Sequence, residues 1–82
     1  MTKNWVVYIV ECADGSLYTG ISNDVEKRIA AHNAGKGAKY TKGRGPVVLR
    51  FSEKVKNKSE ALKREAEIKR MMRQGKEKLF DV

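Results

Sequence analysis

The stretch "VVYIVECADGSLYTG", residues 6–20, is two short apolar runs joined by turn residues, with a tyrosine near the middle of each run. Residues 5–12 ("WVVYIVEC") and 16–21 ("SLYTGI") are rich in β-branched and aromatic side chains, and Ala13, Asp14 and Gly15 lie between them, so the segment predicts a β-hairpin. A three-residue loop of this composition suits a type I turn followed by a glycine in the left-handed region. That loop length fixes the register, with Cys12 opposite Ser16, Val10 opposite Tyr18 and Tyr8 opposite Gly20. One face then carries Tyr8, Val10, Cys12, Tyr18 and Gly20, and the other carries Val7, Ile9, Leu17 and Ile21. Tyr8 and Tyr18 become diagonal neighbours, roughly 7–8 Å apart at the backbone, above a gap left by the glycine. A two-residue turn would put them on opposite faces.

Working outward, "SNDVEKRIAAHNAG" (22–35) predicts a helix over about 24–34. Asn23 is the expected N-cap, Glu26 its capping-box partner and Gly35 the stop. Val25 and Ile29 form its apolar stripe. Arg28 and His32, four residues apart along the edge of that stripe, can reach one common site. Residues 35–45, "GKGAKYTKGRG", hold four glycines, the basic Lys36, Lys39, Lys42 and Arg44, and Tyr40, and read as a loop able to follow a nucleic-acid backbone. After Pro46, Val47, Leu49 and Phe51 alternate with more polar neighbours, the pattern of a third strand. A second helix is expected from Ser59 as N-cap to about Gln74, ended by Gly75, with a further helical turn from the tail. The order strand, strand, helix, strand, helix gives a small antiparallel sheet flanked by helices, an α+β fold.

On the second helix Ala61, Glu65, Ile68 and Met72 share one stripe, which turns a carboxylate inward. A buried carboxylate requires a cation, whether Arg28, a lysine or a metal ion. Glu60 and Glu67 fall off the stripe and are expected in solvent.

The 82-residue chain reads as one domain over 1–82, with 40% apolar residues and one proline. Its longest apolar run, "WVVYIV", is too short to cross a bilayer, and the N-terminus lacks the pattern of a secretion signal, so a cytoplasmic protein with no membrane role is expected. Cys12 is the only cysteine, which rules out a disulfide framework or a cysteine zinc cluster and reads as a small buried strand residue. Charge is divided unequally: residues 1–33 sum to −1 and residues 34–82 to +9. A one-sided positive surface is the footprint of a protein that meets phosphate backbones, although solubility alone accounts for it equally well.

Together, "VVY" and "YTG" about ten residues apart, then "DVEKRIAAHNAG", "AKYT" and "SEALKREAEIK", resemble the GIY-YIG nuclease superfamily, from about Val6 to Lys69. The likeness is to its small stand-alone bacterial branch. Val6-Val7-Tyr8 stands where the family has Gly-Ile-Tyr, and Thr19 where isoleucine is usual; both tyrosines and Gly20 are kept. The resemblance implies a three-stranded antiparallel sheet flanked by helices and a metal-dependent endonuclease. It implies DNA as substrate, in branched, damaged or single-stranded form, in repair or recombination, and a protein partner that supplies specificity. The active-site residues it implies are Tyr8, Tyr18, Arg28, His32, Tyr40 and Glu65. Glu65 would hold Mg²⁺ or Mn²⁺. Arg28 would bind the scissile phosphate. Tyr8, helped by the cationic Arg28, would orient or deprotonate water while His32 relays a proton. Two alternatives remain open: a nucleic-acid-binding module of the same fold that does not cut, and an interaction domain whose phenols simply cover the sheet.

Overall fold

A computed structural model describes residues 4–34 and 46–80. The elements in order are β1 (Trp5–Glu11), β2 (Leu17–Ser22), α1 (Val25–Asn33), β3 (Val48–Val55), α2 (Lys58–Lys69) and α3 (Arg73–Phe80). They form an α+β fold around a three-stranded antiparallel sheet of order β2-β1-β3. β1 is the middle strand, and Val6 to Val10 are buried without interruption. A strand covered on both faces needs apolar residues at every position, which explains the unbroken "WVVYIV".

The hairpin has the expected register, with Tyr8 opposite Gly20 and Val10 opposite Tyr18. Gly15 takes φ +87°, the Cys12 amide donates to the Ser16 carbonyl at 2.8 Å, and Asp14 Oδ1 accepts from the Ser16 amide at 3.0 Å. Tyr8, Val10, Cys12 and Val47 are buried on one face beneath Val25 and Ile29 of α1, with Tyr18 beside them. On the other face Val7 and Ile9 pack with Ala61 and Ile68 of α2, and with Met71 and Leu79. Each fully buried aliphatic side chain in these two clusters is worth roughly 1.5–3 kcal/mol relative to exposure.

Several local expectations are corrected. The α1 cap is Asp24, not Asn23: Asp24 Oδ1 accepts from the Lys27 amide at 3.3 Å, and Ser22 Oγ in turn accepts from the Asp24 amide at 2.9 Å. The α2 cap is Asn57, not Ser59, with Oδ1 accepting from the Glu60 amide at 2.9 Å. Helix α2 does not run to Gln74. It closes at Lys69, with the Arg70 amide donating to Ala66 at 3.2 Å and the Met71 amide to Ile68 at 3.0 Å.

The chain then turns into a third helix, because Met71 and Leu79 both have to reach the sheet. Met72, expected on the buried stripe, is instead 84% exposed. Gly75 does not end a helix but lies inside α3, where a Cβ would stand 3.3 Å from the Met71 Cβ. Lastly, Val47, Leu49 and Phe51 do not share a face. Ile9 pairs with Phe51 but Val10 with Leu49, so Arg50 is an extra residue in a β-bulge. The bulge reverses the strand's alternation, sending Phe51 under α2 while Val47 stays with Tyr8. Among the described residues no helix is long and apolar enough to cross a membrane.

Candidate active site

The site is built on the α1 face of the hairpin. Tyr8 is 1% exposed, and its phenol lies across the strand pair directly over Gly20. A Cβ at position 20 would meet Tyr8 Oη at 2.6 Å and Tyr18 Cε2 at 3.1 Å, so only glycine leaves room for the two rings. The outer wall is α1. His32, also 1% exposed, brings Nε2 to 3.1 Å from Tyr8 Oη. Its ring stands edge-on to both phenols, with centroids 5.5 Å from Tyr18 and 6.1 Å from Tyr8.

Arg28, one turn earlier on α1, comes close enough to the Tyr8 phenol to favour its ionised form. Burial nevertheless dominates, so the Tyr8 pKa lies above its ordinary value of 10.0. Arg28 pulls it down, while Tyr18 and the Glu65 carboxylate push it up. The expected activation of Tyr8 by Arg28 is therefore outweighed by burial in the resting site. His32 is shifted the other way, below 6.5, by burial first and then by the Arg28 charge. Phenol and imidazole are both neutral near pH 7, and in the Nδ1-protonated tautomer His32 Nε2 accepts the Tyr8 hydroxyl.

Glu65 enters from α2, close enough for its charge to act on Tyr8. Its side chain is 19% exposed and its Oε2 lies 3.4 Å from Lys69 Nζ, one turn along the helix. Lys69 is the partner that the sequence reading did not single out, although a Glu–Lys pair at i,i+4 is its signature. Lys69 is itself half exposed, so the pair is weak and readily exchanged for another cation. The oxygen donors here are one carboxylate and two phenols, and no cluster of three or more His, Cys, Asp or Glu occurs among the described residues. That set fits a hard divalent ion that keeps several waters and completes its shell with substrate oxygens. Glu60 and Glu67 are exposed, beside Lys63 and Arg64 respectively.

The fold thus gathers Tyr8, Tyr18, Arg28, His32 and Glu65. Tyr40, Lys36, Lys39, Lys42 and Arg44 lie outside the described residues.

A hairpin that presents two phenols over a glycine, flanked by an arginine helix and a late glutamate, defines a class, and the match extends through the chain. Residues 4–78 match the GIY-YIG catalytic domain, and the chain belongs to this nuclease-type family. Within it, the chain is similar to a UPF0213 protein of Halobacterium salinarum, 57% identical over 74 residues, covering 90% of this chain and 96% of that protein. It is similar also to a UPF0213 protein of Staphylococcus haemolyticus, 59% identical over 81 residues, covering 99% of this chain and 98% of the other. Two solution NMR structures share the fold. The UPF0213 protein of Bacillus halodurans is 51% identical with a TM-score of 0.59. A protein of E. faecalis is 41% identical with a TM-score of 0.64. Each alignment covers 93% of this chain and 81% of the other.

Proposed function

We propose that this chain is a divalent-metal-dependent endonuclease of the cytoplasm, acting as one domain on DNA in repair or recombination. The observation that carries the reading is the buried Tyr8–His32 hydrogen bond of 3.1 Å, with Arg28 on the same phenol and the Glu65 carboxylate within electrostatic reach. This arrangement brings a proton path, a phosphate clamp and a carboxylate to one point. Arg28 binds the non-bridging oxygens of the scissile phosphate and stabilises the charge that builds there, a task suited to a planar forked cation. Tyr8 Oη orients the attacking water and accepts its proton as the phenolic proton passes to His32 Nε2. The coupling of the two transfers matters, because burial shifts the two groups apart, the phenol up and the imidazole down. Tyr18 supports the His32 ring edge-on and supplies a second hydroxyl to the phosphate. Glu65, released from Lys69, holds Mg²⁺ or Mn²⁺. When bound, the cation supplies Lewis-acid stabilisation of the phosphate and the leaving oxygen.

The test is cleavage of end-labelled single-stranded, duplex and branched DNA in Mg²⁺ or Mn²⁺, with wild type and Glu65→Gln side by side. Metal-dependent cutting by the wild type and a loss of at least about 10²-fold in the variant, with binding retained, is the expected result. Equal cutting by both proteins overturns the role of Glu65.

A second reading is favoured by one observation, the raised Tyr8 pKa, which leaves the phenol unactivated at rest. Under it the basic half grips nucleic acid without cutting, or awaits a protein partner. Salt-sensitive binding with no cleavage in any divalent metal supports that alternative.

A further inference from the structure

Arg28 faces two ways. Inward, it acts on the Tyr8 phenol. Outward, it forms one wall of a surface pocket of about 190 Å³ lined by Ser22, Asn23, Asp24, Lys27, Arg28 and Ala31. Positions 24, 27, 28 and 31 follow the i, i+3, i+4, i+7 spacing of one helical face, turned away from Val25, Ile29 and His32, which pack on the sheet. The pocket therefore adjoins the active site, sharing Arg28 with it and touching the hairpin only at Ser22, the last residue of β2.

Its size and chemistry restrict what it can hold. Pockets for drug-sized ligands run to roughly 300–1,000 Å³, so this one has room for a single ring system and not for a base pair. The lining mixes an acceptor carboxylate, Asp24, with the donor ammonium of Lys27 and the two-sided carboxamide of Asn23. Asp24 repels an anion, so the phosphate belongs on the Arg28 side. The pocket itself suits a neutral group that carries both donors and acceptors on one edge. Asn23 and Lys27 are exposed, and Ala31 offers an apolar wall to a ring face. An unpaired nucleobase has that edge and that face, whereas a base in a duplex has its Watson–Crick edge occupied.

The geometry points to a base-reading pocket: it takes one unpaired nucleobase of the strand whose scissile phosphate Arg28 binds, and so selects single-stranded or opened substrates. This rests on the nuclease reading above and adds the substrate form to it. The pocket selects by shape and by polar edge, so the absence of a base on one nucleotide costs affinity even where the phosphate is intact.

The experiment follows backbone amide shifts of the full chain, without metal, during titration with deoxynucleoside 5′-monophosphates and, in parallel, with deoxyribose 5-phosphate, which lacks the base. The expected result is binding about tenfold tighter for a nucleotide than for the abasic probe, with shifts centred on Asn23, Lys27 and Ala31. Ala31→Leu fills the pocket with a good helix former and leaves Arg28 in place, and it reduces nucleotide affinity to the abasic level. Asn23→Ala, at an exposed position before the helix, provides a second variant with a several-fold loss should Ala31→Leu fail to fold. Equal binding of the two probes, or nucleotide binding unchanged in the folded variants, overturns the pocket. Because this readout needs neither metal nor turnover, a failure of cleavage counts against the nuclease reading and leaves the pocket result standing on its own.

Discussion

Tyr8, Gly20 and His32 form a unit in which each side chain fixes the others. The phenol needs the missing Cβ of Gly20, and its hydroxyl needs the imidazole, since a buried hydroxyl without a partner costs about 1–3 kcal/mol. Thr19, on the opposite face of β2, shows the contrary case. It is 3% exposed, opposite Ile9, and among the described residues its Oγ1 has no hydrogen-bond partner. Thr19→Val should raise stability by about 1 kcal/mol, read as a higher denaturation midpoint at unchanged denaturant slope.

His32 also sets a pH dependence. Its folded pKa lies below 6.5, so the unfolded chain takes up a proton first as the pH falls. The stability it contributes is complete above about 6.5 and is lost as the pH falls through the folded value. Cleavage should decline over the same acid range. In His32→Gln, which can accept a hydrogen bond but not retain a proton, that acid limb should vanish along with about 10²-fold of the rate. A pH–rate profile that keeps its acid limb in the variant would assign the limb to another group.

At the scale of elements, the two capped helices differ in what they position. α1 carries Arg28 and His32, and its first turn depends on Asp24. Asp24→Ala should cost about 1 kcal/mol, by thermal denaturation, and lower activity through misplacement of Arg28. Asn23→Ala should leave global stability nearly unchanged, which separates the actual cap from its neighbour. Asn and Asp are about equally good caps, and for that reason "SND" did not reveal which of them starts the helix. The hairpin was legible because loop length determines parity, and parity puts both tyrosines on one face. Arg28 and His32 were legible from their spacing. The Arg50 bulge was not, since one extra residue reverses a strand's faces with no local mark in the side chains. Nor was the break after Lys69: every residue from 58 to 74 is compatible with a helix, and the turn is imposed by tertiary contacts of Met71 and Leu79. Arg73 Nη1 then fastens the start of α3 to the hairpin by donating to the Gly15 carbonyl at 2.8 Å, a contact across 58 positions that spacing does not foretell.

Over the whole molecule, the net charge of +8 is concentrated beyond residue 33. Nucleic-acid binding should weaken steeply with salt, with a log–log slope of about −0.7 per phosphate neutralised on single strands and about −0.9 on duplex. A slope near zero between about 50 and 200 mM salt would mean that the charge serves solubility only.

The central place of β1 has a consequence for timing. β1 is made first, and β2 closes on it through a short local loop, but its other edge waits for β3 from the second half of the chain. Both hairpin phenols, Arg28 and His32 precede that point, whereas Glu65 follows it. A chain still emerging from the ribosome therefore has the two phenols, Arg28 and His32 before it has the carboxylate, and its middle strand is uncovered on one edge and one face. In the proposed reading the site is therefore completed last, when α2 brings Glu65 in after β3 has closed the sheet.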